Sequence, residues 1–213
     1  MTSKEGDTSA LEHDLLRRRK EFAREIWNAS KTPLDGGDDP CKVALAILPE
    51  SISAAWSDKQ MTSIGLSVRE MYKQSRAVHE SRGIYSLFIP VGTVGIFSPE
   101  DRKIMYLANA KRGWLDYPFS WKGVVDVCGH EIGHFIDWVS LTPSASDGFA
   151  KVFKAEGHML DDYAATDATE FFADTCWICA RFPEIAAKWI PQTAKWFEVF
   201  FADKAKSEER VND

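Results

Sequence analysis

Residues 128–137 read CGHEIGHFID, placing His130 and His134 four apart with Glu131 beside the first. On a helix, positions i and i+4 lie one turn apart on the same face, so two imidazole nitrogens can meet a single metal ion. Glu131 projects close by but cannot easily ligate alongside them. It is placed to accept a proton from a metal-bound water. Imidazole and carboxylate suit Zn2+, and a catalytic zinc takes three protein ligands and keeps a fourth position open. The competing reading is coincidence on an ordinary helix. Against it, Val124, Val127, Ile132, Phe135, Ile136 and Val139 give the helix an apolar surface that marks it as buried. Two histidines and a glutamate inside such a helix need partners. The expectation is one Zn2+ per chain.

A third ligand must come from elsewhere. In one class of zinc hydrolases it is a histidine six residues after the second, with a glycine midway. Those positions here hold Ser140 and Asp137, which excludes that class. His13, His79 and His158 are single and unpatterned. Residues 170–174, EFFAD, supply the glutamate alternative. Glu170 and Asp174 lie one helical turn apart, so Glu170 can bind the metal while Asp174 accepts the distal N–H of a ligand histidine. A second reading stays open, because Asp167-Ala-Thr-Glu170 is also a capping box and would leave the metal one ligand short. Glu156 is the next candidate. Asp137, three residues after His134, fits either a contact supporting a ligand histidine or a solvated helix position. Gly133 reads as small because something passes close to the helix there. Cys128 points elsewhere on the helix and reads as core. The CWIC at 176–179 has redox or zinc spacing, but it sits among apolar residues without a second pair, so buried free thiols are expected.

The elements that position these groups fit one domain of 213 residues, with a core of real size. Hydrophobic residues make up 45% and charged residues 27%, and the net charge is −6. A broad basic surface for nucleic acid or anionic lipid is not expected, and RRRK at 17–20 reads as a solvated helix face. No apolar stretch is long enough to span a membrane. The polar N-terminus lacks a secretory signal, so a product cytosolic as synthesised, or exported by another route, is expected. Residues 1–9 read as disordered and 10–29 as an amphipathic helix through Leu11, Leu15, Phe22, Ile26 and Trp27. A loop follows at 31–40, 41–63 carries no clear pattern, and 67–81 reads as a helix. Strands are expected at 84–90, 93–97 and 103–108, forming a small, mainly antiparallel sheet. A loop to Ser120 as N-cap leads into the metal-site helix from Trp121 to about Val139. Shorter helices follow at 149–156 and 168–181, then two segments divided by Pro191, and a frayed tail at 204–213.

GHEIGHFID, followed by FAKVFKAEGHMLDDYAATDATEFFADTC, resembles the catalytic domain of the anthrax lethal factor-like zinc metallopeptidases, relatives of the clostridial Pro-Pro endopeptidases. The resemblance covers about residues 124–182, with the 93–108 hairpin fitting loosely; the first 80 residues match nothing. It implies an α+β zincin-like catalytic domain over 10–203, with a helical part at 10–82 and the sheet and zinc-site helices at 83–203. It implies His130, His134 and Glu170 as zinc ligands and Glu131 as general base. Tyr163 matches the family tyrosine that stabilises the oxyanion or leaving group, a role a phenol suits. The implied activity is zinc-dependent cleavage of a protein substrate, bound extended along an edge of the 84–108 sheet. With no room for receptor-binding or translocation domains, a translocated bacterial effector is the implied setting. A non-catalytic interaction protein on the same scaffold and a zinc hydrolase of non-peptide amides are the alternatives.

Overall fold

In the computed structural model, which describes residues 5–30, 39–81, 95–108 and 123–209, the helix carrying the two histidines runs Val124–Val139 (α5). Its first turn is capped from within, the Asp126 carboxylate accepting from the Gly123 N–H at 2.8 Å. The loop expected at 109–120, with Ser120 as cap, lies outside the described residues. Before α5 come α1 (Glu5–Ala29), α2 (Pro40–Leu45), α3 (Glu50–Asp58), β1 (Thr62–Leu66), α4 (Val68–Ser81), β2 (Gly95–Ser98) and β3 (Lys103–Leu107). After it come α6 (Asp147–Glu156), α7 (Ala168–Arg181), α8 (Pro183–Trp189) and α9 (Pro191–Glu209). The chain is mostly helical α+β with a small sheet.

Two helix ends differ from expectation. α1 starts at Glu5 rather than at residue 10. α9 continues to Glu209 through Ala205, Lys206 and two glutamates, all favourable helix residues except Ser207.

The sheet also departs from the mainly antiparallel arrangement expected. Its order is β1-β3-β2, with β3 antiparallel to β2 but parallel to β1, so it is mixed. The difference comes from β1, which lies across the stretch without a clear pattern; it is a short, largely exposed strand and shows no alternation to read. The strand expected at 84–90 lies outside the described residues. Along β3 the side chains alternate between two cores, as the period of two requires. Ile104 and Tyr106 join the main core, while Met105 and Leu107 pack with Leu66 and Met71 on the far side. β2 follows suit: Ile96 faces the smaller cluster, and Phe97 stacks edge-on against Phe135 of α5 at 6.3 Å.

The main core draws on almost every helix. α6, α7 and α9 meet in an aromatic cluster, with Phe149 and Trp196 rings 4.9 Å apart and Phe172 and Phe197 5.1 Å apart. Phe22 and Ile26 bring α1 into the same core.

α5 and α7 approach more closely than ordinary side chains allow. A Cβ on Gly133 would stand 2.6 Å from the Ala173 Cα and 2.7 Å from its carbonyl oxygen. One turn earlier, a Cβ on Gly129 would enter the Trp177 ring. Trp177 Nε1 in turn donates to Asp126 Oδ1 at 3.0 Å, and the Arg181 guanidinium pairs with the same buried carboxylate. The end of α7 is thereby fastened to the start of α5.

Two effects oppose one another in Gly133→Ala. Helix propensity favours alanine by about 1 kcal/mol. Forcing a methyl into packed backbone costs about 1–3 kcal/mol or more, since backbone gives less readily than a side chain. The close contact wins: urea unfolding should show a net loss of up to about 2 kcal/mol. A more stable variant would contradict the helix contact.

Candidate metal centre

α5 presents His130 and His134 from successive turns, and α7 presents Glu170 and Asp174 in the same way. The two helices bring three atoms together. His130 Nε2 lies 3.2 Å from Glu170 Oε2, His134 Nε2 lies 3.4 Å from it, and the two Nε2 atoms are 3.2 Å apart. Ligands about 2.0–2.1 Å from a tetrahedral zinc are separated from one another by about 3.3–3.4 Å. The triangle therefore has the dimensions of one face of a tetrahedral metal site. His130, His134 and Glu170 could hold a metal ion.

The electrostatics point the same way. Glu170 Oε2 is buried and makes no well-formed hydrogen bond, although two imidazole nitrogens stand within 3.4 Å. Burial alone would raise the carboxyl pKa, but the two imidazoles outweigh it and hold Glu170 well below the usual carboxylate range. His130 Nδ1 donates to Asp174 Oδ1 at 2.7 Å, and Asp174 is buried. That bond puts the proton on Nδ1 and leaves the Nε2 lone pair facing His134 and Glu170. Two imidazole nitrogens and a carboxylate oxygen without a well-formed hydrogen bond, converging at one largely buried point, would be satisfied together by a cation.

Glu131 is also buried, and β2 lies against it. A Cβ on Gly95 would stand 2.3 Å from Glu131 Oε1, so only glycine lets the strand sit there with Glu131 in place. Tyr163, in the turn before α7, has its ring 6.4 Å from that of His130 and is half exposed as a residue. Desolvation of the hydroxyl, followed by the charge and hydrogen bonding of Glu170, raises its pKa well above the normal phenol value.

Other sequence candidates lie elsewhere. The Glu156 carboxylate caps α9, accepting from Gln192 N–H at 3.0 Å, Thr193 N–H at 2.8 Å and Thr193 Oγ1 at 2.6 Å. Asp167 caps α7 by accepting from the Thr169 and Glu170 N–H groups at 2.8 and 2.9 Å. Glu170 thus has its backbone N–H in the cap and its side chain at the histidines. Asp137 is buried, and its carboxylate accepts from the Ser144 N–H at 2.8 Å and Ser144 Oγ at 2.7 Å, tying down the turn after α5. His13 and His158 are exposed. All four cysteines are buried free thiols. Gly95 carries one faint signal in the sequence, a glycine inside a strand, which marks a close approach of backbone to another group.

No family model matches the chain, and no curated protein matches it. The likeness to lethal factor-like peptidases rests on the quoted motifs. No helix among the described residues is long and apolar enough to cross a membrane.

Zinc titration of metal-stripped protein should show one tight site, lost in His130→Ala and in Glu170→Gln. Glu156→Gln should weaken the fold but keep the site. Tight zinc binding that survives Glu170→Gln and disappears in Glu156→Gln would mean the wrong carboxylate has been assigned.

Proposed function

We propose that the protein is a zinc-dependent endopeptidase, and that the triangle of His130, His134 and Glu170 with Glu131 beside it carries that reading. His130, His134 and Glu170 would hold zinc, and the donor set of two imidazoles and one carboxylate suits it. Bound there, zinc would supply an activated water and polarise the scissile carbonyl. Glu131 would serve as the general base there, taking a proton from the attacking water and giving it to the leaving amine. Its burial beside β2 keeps the proton from bulk solvent. Tyr163 donates a hydrogen bond to the oxyanion; its raised pKa keeps the phenol protonated and able to donate. Asp174 holds His130 in the ligating tautomer.

The substrate would lie extended along β2, adding a strand to the sheet. β2 is an edge among the described strands, and Gly95 sets its backbone over Glu131. A peptide paired there runs past both the general base and the metal ligands.

Two variants test this. Glu131→Gln should retain zinc and lose cleavage by about 10²–10⁴-fold, the usual worth of a positioned general base; N-terminal peptide mapping of a lysate identifies the products. If the same products form with and without Glu131, the peptidase reading is wrong. Gly95→Ala should keep zinc affinity while displacing Glu131, lowering kcat/KM on an identified peptide by at least about tenfold, since small displacements of catalytic groups are this costly. Unchanged kcat/KM would detach β2 from the catalytic geometry.

A further inference from the structure

The basic run at 17–20 has one member that does not behave as a solvated helix face. Arg17, Arg18 and Lys20 are exposed. The Arg19 side chain is only 16% exposed, against 60% for Arg17. It emerges on the side of α1 that carries Phe22 and Ile26, both buried in the main core. From there its Nη2 donates to Asp162 Oδ1 at 2.8 Å. It also lines, with Asp161 and Asp174, a small, partly open cavity of about 20 Å3 otherwise walled by apolar side chains.

Asp162 cannot account for this burial alone, because its side chain is 79% exposed. Ion pairs with so exposed a carboxylate contribute little, and taking a guanidinium out of water is costly. Two further carboxylates, those of Asp161 and the buried Asp174, line the cavity that Arg19 enters. Lining the same small cavity, a guanidinium and two carboxylates lie close enough to act on one another. One of those carboxylates, Asp174, is the acceptor that sets the His130 tautomer. Asp162 also adjoins Tyr163 in a tight turn, closed by Asp161 Oδ1 accepting from the Ala164 N–H at 2.9 Å and by Thr166 Oγ1 donating to the Tyr163 carbonyl at 2.6 Å.

We infer that Arg19 is a positioning residue of the metal centre. From α1 it steadies Asp174, and through Asp174 the His130 imidazole, while its grip on Asp162 fixes the turn that presents Tyr163. The N-terminal helix, whose sequence resembles nothing in the peptidase family, thereby becomes part of the site. This role rests on the zinc reading proposed above.

Zinc affinity of the full chain, together with the visible absorption of the Co2+-substituted protein, tests it. Arg19→Gln should weaken zinc binding by about tenfold or more, the usual effect of removing a group behind a metal ligand, and shift the Co2+ band. Arg19→Lys keeps the charge without the planar fork and should recover most of the affinity, leaving about a threefold loss and a smaller shift. Asp162→Asn loosens Arg19 but leaves its guanidinium beside Asp174, so it should cost less affinity and shift the band less than Arg19→Gln does; an equal or larger effect would overturn the route through Asp174. Zinc affinity within twofold of wild type and an unmoved band in Arg19→Gln would overturn the role. Should Arg19→Gln not fold, Arg19→Lys decides alone, with wild-type values in both measurements overturning it. Wild-type protein that binds no zinc would overturn the metal reading itself, and Arg19's role with it.

Discussion

The close contact of α5 with α7 is the constraint on which the rest depends. Gly129 and Gly133 remove the side chains that would hold the helices apart, and Trp177 and the Ala173 backbone fill the space. The histidines are interleaved with these glycines in the order Gly129-His130 and Gly133-His134. The face that permits the approach therefore adjoins the face that carries the imidazoles. Glu170 and Asp174 repeat along α7 with the same four-residue step. Two helices with matching steps, pressed together by glycine, place a carboxylate opposite each function of the site: Glu170 at the Nε2 atoms and Asp174 at the His130 Nδ1.

The surroundings fix this pair from three sides. Asp126, Trp177 and Arg181 clamp the start of α5 to the end of α7. The carboxylates of Asp137 and Glu156 are used to secure the turn after α5 and the start of α9. Each holds an element against which the site is built. β2 closes the remaining side, with Gly95 against Glu131 and Phe97 against Phe135. α1 enters last, through Arg19.

Local periodicity made part of this legible. His130, Glu131 and His134 are related by helical spacing alone, and Glu170 and Asp174 by the same rule, so their placement on two helix faces follows from sequence. Which acidic residue faces the histidines does not follow. Glu156 and Glu170 differ only in tertiary contacts, and the capping pattern at Asp167 is compatible with either role until the Glu170 side chain is located. Asp137 was ambiguous because its partner, Ser144, lies beyond a break where Leu141 and Thr142 adopt positive φ, and no pattern of types announces that reversal. Neighbouring strands in the sequence suggest a hairpin, and with it a mainly antiparallel sheet. The parallel strand β1 joins from some forty residues earlier, and pairing at that distance leaves no local trace. Arg19 was hidden for a related reason: in four consecutive basic residues, only the packing of α1 distinguishes the one that turns inward.

The central claim is that α5 and α7 share a metal ion. A zinc-edge anomalous difference map from crystals of the zinc-loaded protein tests it most directly. The account predicts a single strong peak bonded to His130 Nε2, His134 Nε2 and a Glu170 carboxylate oxygen, with Asp174 hydrogen-bonded to His130 and outside bonding distance of the metal. A zinc bound elsewhere, or histidines and Glu170 bonded to one another without one, would contradict it.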